Sequence, residues 1–408
     1  MNTLLFLILF LKITFIYLII VSLSAIVYVL LSKPIFQPFF SVFNFDVTHE
    51  SKMWLHRDKP LTVDPKKVPL PPYFPDTETV RNDVARNYSN IELLDQMVGK
   101  LILELKADNL LDNTYIFFFS DHGGPLPRGK RSHYESGLKV PLLIRDPYVK
   151  SKIFVEEPVS FVDFAPTILS LAGISIPEHF QGIPFLGDKK SEKQRDYIFG
   201  SGDRFDETYD RVRSVISDEF IYVKNYHTDR PAYKDVLYRK NIDMTNEMLM
   251  LYNENKLNSD QKYWYRQTKT EEEFYHRSDD PYSLKNLITD PNYRKEIKVH
   301  RQALKKWQND INDLGEVPEK SLLSSMWPKG AQPKTLKPEV FVSNNVVTVK
   351  SRTLGSSIGY ILSDEDFDPS LDDGWKLYHR PVIVNKRYIY VLSTRLGYED
   401  SDIIKVKL

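Results

Sequence analysis

An apolar run, a long helical period and then two more apolar runs follow one another along residues 37–145, and this order is what most limits the fold. Gln37 to Phe45, QPFFSVFNF, carries no charge and suits a buried strand. The proline-rich stretch 55–76 reads as an irregular connection. A helix is then expected from Asp76 or Thr77, either of which can cap it. Val80, Val84, Tyr88, Ile91, Leu94, Val98, Leu101 and Leu105 recur at three- and four-residue spacing, one apolar face of a long helix. Asn109–Asn113 ends it. Tyr115–Ser120 and Val140–Ile144 read as the next strands. Strand, helix, strand, loop, strand predicts α/β packing with a mostly parallel sheet flanked by helices.

The N-terminus departs from this pattern. From Ile13 to Leu31 there is no charge, with Lys12 before the run and Lys33 after it. At about 1.5 Å per residue a helix here would reach roughly 28 Å, close to the hydrocarbon thickness of a bilayer. An N-terminal apolar helix over 1–33 that anchors the chain in a membrane is the leading expectation. A signal peptide and a buried strand are the rival readings. With an anchor, the rest of the chain would lie in the periplasm or outside the cell.

The remaining chain divides by composition. Phe161–Ala172 (FVDFAPTILSLA) reads as a short helix, and 195–226 as strands. Residues 234–315 are charged and helix-rich. Residues 316–338 contain prolines and read as a linker. Beyond them, short strands with intervening turns predict a small β-sandwich. Acidic and basic residues balance at 55 each, so no nucleic-acid surface is expected. With no cysteine there is no disulfide, no thiolate metal site and no cysteine nucleophile in this sequence.

Chemistry gathers at predicted strand exits, where polar residues collect in open α/β sheets. Asp121 and His122 follow one strand, and His49 follows another. Asp121 offers hard oxygen, suited to Ca²⁺, although a calcium site needs about six or more donors. Lys130 is a mobile point charge suited to a tetrahedral anion, and Gly129 beside it leaves room for close approach. His49 is placed to bind an anionic oxygen or protonate a leaving group. Taken singly, Lys130 and Arg131 read as solvated cations, and Tyr134 as a packing residue.

Taken together, SDHGGPLPRGKRSHYESGLKVPLLIR resembles the second metal-and-sulfate motif of the sulfatases, within the alkaline-phosphatase superfamily, with spacing close to the sulfamidase (heparan N-sulfatase) branch. PFFSVFNFDVTHESKMW resembles the family's strand bearing a sulfate-contacting histidine. SFVDFAPTILSLAGISIPEHFQGIPF is similar to its Val-Asp-Pro-Thr helix and Gln-Gly segment, and SDDPYSLKNLITDP to its tail segment. The last seventy or so residues look like a chitobiase C-terminal or fibronectin-III-like module.

The resemblance implies Ca²⁺ as cofactor with Asp121 and His122 as ligands, and Lys130 and His49 as catalytic residues on the sulfate. It also implies a sugar subsite at Asp203, Arg204, Asp206 and Glu207. The implied organisation is an anchor at 1–33, a partial sulfatase α/β core at 34–190, a smaller α+β subdomain at 191–318, a linker at 319–338 and the β module at 339–408. The family makes its nucleophile, a formylglycine, from a C/S-x-P-x-R motif upstream of the strand near Gln37. This sequence has no such motif, no upstream Asp-Asp pair and no Gly-Lys-x-His. The expectation is therefore an incomplete sulfatase core: a hydrolase of sulfate esters or sulfamates on glycans by family, inactive as this isolated chain, its N-terminal half lost or separately encoded. A membrane-tethered pseudoenzyme or sulfated-carbohydrate-binding protein is the first alternative. A phosphoglycerol transferase-like enzyme is the second.

Overall fold

A computed structural model of the protein describes residues 17–22 and 38–408, apart from 194, 372 and 373. They form two compact units, 12–313 and 314–408.

The first sheet of the larger unit contains β1 (Tyr17–Ser22), β2 (Phe40–Asn44), β3 (Thr114–Phe119) and β4 (Leu142–Arg145), in the order β2-β1-β3-β4. β1 runs parallel to both β2 and β3, and β4 is antiparallel to β3. The apolar helix expected at the N-terminus is corrected here. Residues 17–22 are a strand at the centre of this sheet, and the rest of 1–33 lies outside the described residues. An unbroken apolar run carries no period, so only pairing partners separate a buried strand from a buried helix. Among the described residues no helix is long and apolar enough to cross a membrane.

Between β2 and β3 the chain forms the short α1 (Lys52–Leu55) and the long α2 (Glu78–Ala107). Thr77 caps α2 as expected, its Oγ1 accepting from the Val80 amide at 3.2 Å. Asn109, at φ 58°, lets the chain leave the helix. The buried stripe departs from the apolar period in one place. Tyr88 and Ile91 point outward, while Ser89 and Asn90 are buried. Ser89 Oγ accepts from the Thr62 amide at 3.1 Å, and Asn90 Oδ1 meets His56 Nδ1 at 2.9 Å. The irregular 55–63 connection needs polar partners there: Ser89 serves its backbone at Thr62 and Val63, and Asn90 serves the His56 ring.

β3 shows why the sheet is covered on both faces. Ile116 packs with Phe39 and with Leu105 of α2. Tyr115, Phe117 and Phe119 pack instead on Leu171 and Phe164 of α4 (Phe164–Leu171). Alternation at period two thus yields helix, sheet and helix layers. The short α3 (Glu135–Leu138) closes the loop between β3 and β4. Before α4, buried Asp163 accepts from the Ser160 amide at 2.8 Å and the Ile183 amide at 2.7 Å, and it pairs with Arg195. One carboxylate thereby joins the FVDFAPT helix to the QGIPF segment.

The second sheet is antiparallel throughout, in the order β5 (Ile198–Phe205), β6 (Thr208–Ile216), β7 (Phe220–Asn225) and β8 (Glu272–His276). A mostly parallel sheet therefore holds only for three strands of the first sheet. Between β7 and β8 lie α5 (Asp243–Asn253) and α6 (Ser259–Lys262). α7 (Arg294–Asp310) covers one face of the second sheet through Ile297, Leu304 and Trp307. The other face, with Val212, Ile221, Val223 and Tyr275, receives Tyr134 from the loop after β3.

In the smaller unit, 319–338 is not a plain linker, because α8 (Glu319–Met326) forms within it. β9 (Glu339–Ser343) and β10 (Val346–Lys350) precede β11 (Ser357–Ser363), β12 (Lys376–Leu377), β13 (Val382–Ile383), β14 (Tyr388–Thr394) and β15 (Ile404–Lys407). They make two antiparallel sheets, β13-β10-β9 and β12-β11-β14-β15. Val347, Val349, Val384, Ile389 and Val391 form the core of this unit.

Replacing Asp163 by Ala leaves two amides and Arg195 without their acceptor. Breaking a buried charged hub costs about 3 kcal/mol, so urea denaturation of D163A should give an unfolding free energy lower by that amount.

Candidate functional site

Parallel pairing of β2 and β3 with β1 places the carboxyl ends of both outer strands on the same edge of the sheet. His49 lies in the turn after β2, and Asp121 and His122 lie immediately after β3. The loop then turns through two glycines that no other residue fits. A Cβ on Gly123 would sit 1.9 Å from the Ser136 carbonyl oxygen, and one on Gly129 would sit 2.2 Å from that of Gly124. The Lys130 amide donates to the Gly124 carbonyl at 2.8 Å, which closes the loop on itself. Arg128 is buried between the rings of Tyr73 and Tyr134, 4.6 and 4.4 Å away. Its guanidinium donates to the Tyr282 and Ser283 carbonyls at 2.5 and 2.8 Å. The lysine's starting point is therefore rigid.

The residue that joins the two strand exits is Glu50, which no sequence motif singles out. Its side chain is fully buried. Both carboxylate oxygens accept from Arg131 Nη1 at 2.9 Å, and Lys130 Nζ stands 3.8 Å away. Arg131 in turn donates from Nε to Asp206 at 2.8 Å. Arg131, expected to be solvated, is instead only 8% exposed. The local sequence held no sign of this, since its partner lies 81 positions earlier.

The two histidines present opposite faces of an imidazole. His49 Nδ1 accepts from the Ser51 amide at 3.2 Å and also meets Ser51 Oγ at 2.8 Å. The proton of the neutral ring is thus on Nε2, where it is a donor. Burial pushes the His49 pKa down, and the nearby Lys130 and His122 push it the same way, against Glu50 and Asp46. At neutral pH the ring is uncharged and donates a hydrogen bond beside the Lys130 cation. His122 Nδ1 donates to the Gly123 carbonyl at 2.7 Å, which turns Nε2 toward Asp121, 3.6 Å from Oδ1.

These donors do not make a Ca²⁺ cage by themselves. Calcium takes about six to eight oxygens. Among the described residues no three His, Asp or Glu side chains are grouped to hold an ion. Asp121 and His122 supply two donors, so no chemical step is routed through a metal.

The four residues expected at a sugar subsite divide. Asp206 reaches the site through Arg131, at 2.7 Å to Nη2. Asp203 pairs with Arg213 at 2.9 Å, in a cluster that also takes Asp313. Glu207 Oε1 accepts from the Leu237 amide at 2.7 Å. Arg204 donates to the Glu207 carbonyl at 3.2 Å.

Comparison with known proteins places the chain in a family. Residues 21–174 match the sulfatase family model, and residues 128–264 match the model of the C-terminal part of N-sulphoglucosamine sulphohydrolase. The chain is 36% identical over 409 aligned positions to an ulvan-active sulfatase of Formosa agariphila, covering 91% of this chain and 68% of that protein. The chain belongs to the sulfatase family. The human N-sulphoglucosamine sulphohydrolase is 30% identical over 277 positions, 62% of this chain and 53% of that protein. A solved 2-O GAG sulfatase superposes with a TM-score of 0.49 at 18% identity, over 69% of this chain and 62% of that one. This sulfatase-family chain thus spans about half to two thirds of the lengths of these three proteins.

Two outcomes test the site's architecture. Glu50→Gln removes the charge that Arg131 and Lys130 share, and it should lower unfolding free energy by about 3 kcal/mol in urea titration. His133, in the same loop, is buried, and burial with Lys234, Arg213 and Lys269 pushes its pKa down to about 3. Unfolded, it titrates at an ordinary value of about 6.5. The unfolded chain therefore binds a proton that the folded chain refuses. Stability should rise with pH between about 3 and about 6.5, by up to about 1.4 kcal/mol per pH unit. His133→Gln should flatten that slope in melts recorded across the same pH range.

Proposed function

We propose that this chain binds the sulfated end of a glycan at the His49–Lys130 face and that, in the sequence given, it does not turn the sulfate over. The observation that carries this is the pairing of a neutral Nε2–H donor on His49 with the Lys130 cation, on two loops held by one buried carboxylate. A tetrahedral monoanion needs such a set: a point charge for its oxygens and a directed donor that adds no second desolvation cost. In a complete sulfatase site the same two groups would neutralise charge developing on the sulfuryl and leaving oxygens. His122, with Nε2 beside the Asp121 carboxylate, and Asp121 are the two residues that would contribute to a cation site completed by further ligands.

Glycan sulfates are the substrate class we favour, because the relatives matched over most of the chain's sulfatase region carry names of that kind. Glucosamine N-sulfate and a 6-O-sulfated sugar are the ligands to try first. The proposal of no turnover rests on the given sequence, which has no cysteine and no Ser-x-Pro-x-Arg from which a formylglycine could form.

Calorimetric titration of the purified chain with glucosamine N-sulfate, with sulfate release followed in parallel, tests both halves. Saturable binding without sulfate release is expected. Lys130→Ala should weaken it by ten- to a hundredfold, equivalent to about 1.5–3 kcal/mol for hydrogen bonds to a charged group. Release of sulfate, or an affinity untouched by K130A, would refute the reading.

A further inference from the structure

Behind the Lys130 loop lies a small cavity of about 30 Å³ between that loop and the inner face of the second sheet. It is lined by Arg239, Lys234, Lys269, Asp210, His133 and Asn225, among others. All six are buried. Apolar cavities of this size are common, but one walled by so many ionisable side chains is not.

The polar groups here are unequally matched. Lys269 Nζ contacts both Asp210 oxygens at 2.7 and 2.6 Å, and Lys234 Nζ stands 3.1 Å from Oδ2 of the same carboxylate. Two ammoniums thus share one carboxylate. Glu273 is the other acid on the wall, but it is already engaged by Arg266, by the Tyr134 and Tyr275 hydroxyls and by Asn225 Nδ2. Glu50 is held by Arg131. Arg239 makes no ion pair among the described residues. Its Nη2 donates to the Lys130 carbonyl at 2.9 Å, and its plane lies 5.3 Å from the Trp264 ring. Its Nε and Nη1 are buried with no acceptor. His133 is neutral and brings no negative charge.

We propose that this cavity is a binding site for one small monovalent anion, chloride or a heavier halide, held by Arg239 with Lys234 and Lys269. A water molecule also fits about 30 Å³, and it would accept from Arg239. It would leave the excess of positive charge uncompensated, in surroundings where an unpaired buried ion is costly. A halide satisfies the orphaned guanidinium hydrogens and the charge together. Burial and the neighbouring Lys269 and Arg239 push the Lys234 pKa down against the opposing pull of Asp210, and a bound anion would relieve that pressure. Because Arg239 also holds the Lys130 carbonyl, the anion would stiffen the loop that carries the sulfate-facing lysine.

The site is independent of any glycan activity and is tested without it. Crystals of the full chain grown in sodium bromide should give an anomalous peak in contact with Arg239 and the two ammoniums. In solution, chloride and bromide should raise the melting temperature saturably by several degrees over sodium methanesulfonate at equal ionic strength. Arg239→Gln should abolish that difference, and Lys234→Met should weaken it. If either variant fails to fold, the unsubstituted chain still decides. No anomalous signal, with density refining as water, or a thermal response identical in all three salts, would overturn the proposal.

Discussion

The site depends on a buried ion pair between Glu50 and Arg131. Taking a carboxylate fully out of water is unfavourable by several kcal/mol unless strong partners replace the lost hydration. Here the replacement is the Arg131 guanidinium, with Lys130 close by and Asp206 on the far side of the arginine. Glu50 follows His49, and Arg131 follows Lys130. Each member of the clamp therefore sits one position from a residue of the proposed sulfate-binding face. Rigid placement of functional groups is what such a pair achieves, more than net stability.

Sheet topology makes the clamp possible. β2 and β3 are not neighbours, and β1 lies between them, parallel to both. Without that central strand the two exits would have no common edge. The loop after β3 is then gripped twice more, by Arg128 between two tyrosine rings and by Arg239 on the Lys130 carbonyl. Tyr134 carries the same loop onto the second sheet, where its hydroxyl donates to Glu273 at 2.9 Å. The Lys130 side chain and the small polar cavity thus belong to one short segment. Its left-handed residues, Arg128 and Arg131 at φ 63° and 72°, are tolerated because both guanidiniums are held by buried partners.

Much of this was legible in the linear chain because it is local. The α2 helix announced itself by period and by Thr77, the exits of β2 and β3 by where apolar runs gave way to Asp46 and Asp121, and α4 by FVDFAPT. Family membership was legible in the ordered motifs from Pro38 onward. Three things were not. The apolar run near Tyr17 has no period, so its strand character depended on partners far along the chain. Tyr88 and Ile91 matched the helical stripe, yet they yielded the inner face to Ser89 and Asn90, because the neighbouring connection brings backbone amides and the His56 ring that need hydrogen bonds. Arg131 looked like an ordinary surface cation.

What the sequence alone determined is the order of the elements from Gln37 to Ile144, which loop carries the acid, imidazole and lysine, and the lack of a cysteine or a Ser-x-Pro-x-Arg motif. These follow from short-range sterics and periodicity, which act over a few residues. Tertiary structure decided which charges are buried together, Glu50 with Arg131 and Asp210 with Lys234 and Lys269, and which nitrogen of each histidine faces the site. Those outcomes rest on desolvation and pairing between groups tens of positions apart. Only the closed fold brings them within hydrogen-bond reach.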